Sequence, residues 1–143
     1  MEYINLAMFM LVMMQIKHFI CDYPLQNIYN NWIINNKGSP DSGWIVPLSV
    51  HSLIHGVGTL LVLSITNLVW NCDIKITTSL IYTLMCYDIS SHFIIDRIKA
   101  HPKLGARFKM EDKRFWWLLG IDQMAHHFVG FYIIYVCLDS IIK

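Results

Sequence analysis

Histidine and aspartate recur four residues apart at five places in this chain: His18 and Asp22, His51 and His55, Asp88 and His92, His92 and Asp96, Asp122 and His126. A four-residue step on an α-helix sets two side chains on one face, about 5–6 Å apart at Cβ. A helix offers two ligands to one ion by that geometry. Random scattering of the 10 acidic residues and 7 histidines would give roughly two such pairs. Imidazole and carboxylate without thiolate suit a divalent transition metal such as Zn, Mn or Fe. The spacing therefore predicts one or two ions, ligated from among His18, Asp22, His51, His55, Asp88, His92, Asp96, Asp122 and His126, with the remainder orienting the ligands. Metal-activated water would make Asp22, Asp96 and Asp122 the candidates for a general base. Gln26, Lys99 and Gln123 are the candidates for holding substrate.

The segments that must position these residues are apolar. They run over about 3–23, 45–70, 74–98 and 115–142, each about 20 residues or longer, enough to cross a hydrocarbon core of roughly 30 Å. Hydrophobic residues make up 55% of the chain and charged residues 15%, against about 25% charged in soluble domains. The pattern predicts one all-α domain over 1–143, a four-transmembrane-helix bundle. Trp44, Trp70, Trp116 and Trp117 stand at segment ends, as an interfacial aromatic belt requires. Glu2 stands where a signal peptide would be basic, and no small-residue cleavage site follows, so the first segment reads as a retained span.

Of the 11 basic residues, seven lie between Arg97 and Arg114. No basic helix or aromatic interleaving accompanies them, so a nucleic-acid partner is not indicated. The positive-inside rule instead puts loops 26–43 and 99–114 in the cytoplasm and both termini outside. In that topology all four sets of His and Asp fall roughly 5–18 Å inside the same face at 1.5 Å per residue. Ionisable groups inside spans are costly and mark function. A proton or ion pathway, plain interhelical pairing and a bis-histidine haem are the other readings; the aspartates count against haem. Lys17 either serves the acids as a counter-ion or snorkels to the interface. His127 points about 100° away from His126. The cysteines form no C-x-x-C pair; Cys21 and Cys86 read as core residues, and Cys72 and Cys137 fall near one face.

The strings HFICDYPLQ, HSLIHG, SHFIIDRIKA and GIDQMAHH resemble, in order, a domain-of-unknown-function family of small bacterial and bacteriophage integral membrane proteins. More distantly the chain is similar to membrane-bound metal-dependent hydrolases. The resemblance implies roles for His18, Asp22, His51, His55, His92, Asp96, Asp122, Gln123 and His126, and Asp88 is its weakest match. It implies no substrate. A metal at this depth would activate water at the level of the lipid headgroups, so the leading expectation is a metal-dependent hydrolase of an inner membrane, with membrane lipids as partners and a lipid or isoprenoid phosphate as substrate at the cytoplasmic face. The rivals are a proton or metal-ion transporter or channel, and a non-catalytic phage factor acting on the host envelope. The Asn- and Ile-rich sequence has the AT-biased look of a phage source.

Overall fold

The computed structural model describes residues 2–25, 36, 39, 41–70 and 75–142. Within them lie four long helices, α1 (Glu2–Asp22), α2 (Ile45–Val69), α3 (Thr78–Ala100) and α4 (Lys113–Ile142). A 3-10 turn, Ser42–Trp44, leads into α2. No strand occurs among the described residues. The chain is an all-α bundle, as its apolar segments require.

The helices have 21, 25, 23 and 30 residues, about 31–45 Å at the α-helical rise. Three of them (α1, α2 with its leading turn, and α4) are long and apolar enough to cross a membrane. α3 matches them in length but carries Asp88, His92, Asp96, Arg97 and Lys99. Its Asp88, His92 and Asp96 are buried against the other helices, where bundle partners rather than lipid meet them. The outer surface is correspondingly apolar, with Ile4, Leu68, Trp117 and Tyr135 among its exposed residues.

α3 begins at Thr78, later than its apolar run, because Thr77 caps it by accepting a hydrogen bond from Leu80 N at 3.3 Å. Just before it, the Asn67 side chain clamps Ile76, donating to its carbonyl at 2.7 Å and accepting from its N–H at 2.9 Å. The connection at 71–73, expected to make α2 and α3 neighbours, lies outside the described residues, as does Cys72. Asp112 precedes α4 and accepts from Arg114 N at 2.9 Å as well as from its guanidinium. That pairing holds the Asp112 carboxyl below the usual carboxylate range.

Two layers fill the interior. Leu6, Met10, Leu63, Leu84, Ile133 and Cys137 belong to an apolar core toward the start of α1 and the end of α4. The His/Asp set fills the other half. Lipid tails are as apolar as leucine, so close packing rather than water exclusion joins such helices. Gly56 shows this: an added Cβ would run into the Ile89 side chain and approach Met85 O to 3.2 Å. Gly56→Ala is expected to destabilise the bundle by about 1–3 kcal/mol through overpacking, read as a lower unfolding midpoint in detergent. An unchanged midpoint would mean that α2 and α3 do not approach this closely.

The tryptophans divide. Trp44 lies under the Arg97 guanidinium at 3.7 Å and Trp70 packs on Phe9 with ring centroids 5.0 Å apart. Trp116 and Trp117 are exposed. Cys21 and Cys137 are buried, whereas Cys86, expected in the core, is exposed on the bundle's outer surface. An apolar run marks a span and does not by itself say which face is turned inward.

Candidate metal centre

Each helix delivers its residues on the face its four-residue spacing dictates. α1 brings His18 and Asp22, α2 His51 and His55, α3 His92 and Asp96, and α4 Asp122 and His126. Asp22 is the first focus. His18 Nε2 lies 3.1 Å from its Oδ2, while His51 Nε2 and His55 Nε2 lie 3.4 and 3.1 Å from its Oδ1. Asp96 is the second, with Oδ2 3.1 Å from His51 Nε2 and Oδ1 3.4 Å from His126 Nε2. Asp122 Oδ1 stands 3.6 Å from that same His126 nitrogen. Ligands bound tetrahedrally at about 2.0–2.1 Å lie about 3.3–3.4 Å from one another, so the donors already have ligand-like spacing.

Three groups could hold an ion, the ligand atoms of each lying within 4.8 Å of one another: Asp22, His51 and His55; Asp96, Asp122 and His126; His18, His55 and His92. The imidazoles of His55, His92 and His126 form a column, with centroid separations of 3.9 and 4.4 Å. His55 Nδ1, His92 Nε2 and His126 Nδ1 are buried without a hydrogen-bond partner. A buried polar atom left unpaired costs about 1–3 kcal/mol, and three imidazole nitrogens in one cluster are what ligation or bound water would satisfy.

Asp88 sits one turn from His92 with its oxygens engaged. Its Oδ2 accepts from Lys17 Nζ and from Thr59 Oγ1, each at 2.7 Å, and its Oδ1 lies 3.0 Å from His92 Nδ1. It therefore steadies His92, in the manner of a carboxylate behind a ligating histidine, rather than joining the three groups. Lys17 is buried and turned inward, so of its two readings the counter-ion holds. Thr59 was missed, although it continues the ladder His51, His55, Thr59 on one face of α2; a lone hydroxyl carries no signal of its own.

Lys99 and Gln123, the expected substrate contacts, both donate to Asp122 Oδ2. With Asp22, Tyr23, His51, Asp96 and His126 they line a cavity of about 130 Å³. Gln26 lies outside the described residues. His127 is half-buried, its ring 5.6 Å from His18.

Apolar helices around an interior His/Asp cluster define an integral membrane bundle with a candidate metal centre. Residues 10–142 match a family described as a protein of unknown function, DUF3307, and the chain belongs to that family. Neither a curated protein nor a solved structure matches it.

Proposed function

We propose that the cluster binds two divalent transition-metal ions, of the Zn, Mn or Fe class, and that the protein hydrolyses a phosphate-bearing membrane amphipath. One ion would be held by Asp22, His51 and His55, with His18 and His92, which group with His55, completing its surroundings, and the other by Asp96, Asp122 and His126. The observation that carries this reading is the convergence of three carboxylates and several imidazoles beside a polar cavity of about 130 Å³. Ions there would lower the pKa of a bound water and polarise a phosphoryl oxygen. Lys99 and Gln123 border the same space, where an ammonium and an amide N–H favour a phosphoryl group. Asp22, at the cavity and partly exposed, would hold the ion through one carboxylate oxygen, leaving the other to take a proton from water.

The distribution of polarity favours hydrolysis over transport. A transporter opens its site to the two faces in turn, from near the middle of the bilayer. Here the cluster fills one half of the bundle, and Leu6, Met10, Leu63, Leu84 and Ile133 pack the other. The basic residues between Arg97 and Arg114 favour a cytoplasmic position for the cavity end.

The test is phosphate release from long-chain lipid phosphates by purified protein loaded with Zn, Mn or Fe. Release that requires metal and disappears on chelation is the expected outcome. Metal-replete protein that releases no phosphate yet carries metal ions into proteoliposomes would replace the hydrolase with a transporter.

A further inference from the structure

A groove of about 400 Å³ lies between α1 and α2, on the side of α1 away from the cluster. Its walls include Ile16, Ile20, Leu25, Leu53, Val57 and Leu61. Lys17 also borders it, but its ammonium is drawn inward to Asp88, so only the alkyl stem faces the groove. Gly58 makes room for that stem, since a Cβ there would stand 2.9 Å from Lys17 Cγ. The groove is apolar throughout. From Leu53 to Ile65 it follows α2, a helix long and apolar enough to cross a membrane, for about 18 Å at the helical rise.

Its position relative to the polar cavity is the informative part. Cys21 and Leu25 line the groove, and Asp22 and Tyr23, between them in the chain, line the cavity. The end of α1 is thus a shared wall, apolar on one side and carrying the candidate ligand Asp22 on the other. A molecule with one long hydrocarbon chain and a phosphate head could lie along α2 and turn its head past Tyr23 toward the ions. We infer that the groove seats the hydrocarbon chain of the substrate, which is accordingly a long-chain lipid phosphate. This inference rests on the hydrolytic reading above, and its test separates the two.

Two measurements decide it. In phosphatidylglycerol vesicles, a lipid phosphate with a photoreactive chain is expected to label Ile20 and Val57. Excess unlabelled lipid phosphate should displace it, and added phosphatidylglycerol should not. Acyl and prenyl phosphates used as separate competitors show which chain fits. Equal displacement by phosphatidylglycerol would mean that the groove holds only bulk lipid, and cross-links between two copies of the chain would make it an interface; either overturns the inference. Specific labelling without phosphate release leaves the chain site standing and removes the hydrolase.

The second measurement is the ratio of kcat/KM for a long-chain lipid phosphate to that for a soluble short-chain phosphate ester. Leu61→Trp, which fills the groove from a lipid-facing position, is expected to lower that ratio about tenfold, as loss of a few methylene contacts would. Leu68→Trp, also lipid-facing but outside the groove, should leave it unchanged. An unchanged ratio in Leu61→Trp would also overturn the inference.

Discussion

Asparagine in place of Asp22 will reduce bound metal from about two ions per chain to about one, measured by elemental analysis of detergent-purified protein. The substitution keeps the side chain's shape and removes the charge toward which three imidazoles are turned, those of His18, His51 and His55 at 3.1–3.4 Å. Asp96, Asp122 and His126 form a separate group and should retain their ion. Combining Asp22→Asn with Asp122→Asn should then empty both. His51 is the exception to independence, because its Nε2 stands within 3.4 Å of Asp22 and 3.1 Å of Asp96. Loss of both ions on His51→Ala alone would show the two positions sharing that edge. Asp22 lies near the end of α1 and is only half-buried, so the variant should keep its helical signal and thermal midpoint without metal. Wild-type protein with no metal, or an Asp22→Asn variant that retains the full complement, would remove the dinuclear centre and with it the proposed chemistry.

Much of this site is written in the spacing of residues along the chain. A period of four on a helix fixes a shared face, and an apolar segment fixes a span, so His18/Asp22, His51/His55 and Asp122/His126 could be assembled before any coordinates. What spacing does not encode is the partner across the interface. Asp88 obeys the same period as Asp96, yet it meets Lys17 and Thr59 and so supports His92 instead of joining the candidate ligand groups. Lys17 was ambiguous for the same reason: a four-carbon stem reaches either the interface or the interior, and the position of α3 decides which. α3 starts late at its Thr77 cap, and the Asn67 clamp on Ile76 just before it is a contact between residues whose separate types announce nothing. The groove beside α1 was invisible because it is a property of two packed surfaces.

The Lys17–Asp88 pair gives the other large effect, and it should be asymmetric. Both side chains are buried and 2.7 Å apart, so removing one partner leaves a charge in a medium that solvates it poorly. Breaking such pairs costs about 3–5 kcal/mol. Lys17→Met matches the lysine stem in bulk and strands the Asp88 carboxylate, which is left with Thr59 and His92 as neighbours. That variant should lose most of this amount, read from denaturant or thermal unfolding in detergent. Asp88→Asn strands the lysine instead, and a lysine can swing its ammonium toward the interface, so the stability loss should be smaller. Its larger effect should fall on metal, because His92 loses the carboxylate that orients it, and such losses weaken metal affinity about 10–100-fold. Combining Lys17→Met with Asp88→Asn removes both charges and should recover part of the stability lost in Lys17→Met while the metal defect persists. Stability and metal affinity would then separate along the two members of one ion pair. Equal destabilisation by the two single variants would show that Lys17 cannot leave the interior. A neutral Lys17→Met would show that the lysine does not neutralise Asp88 in the membrane.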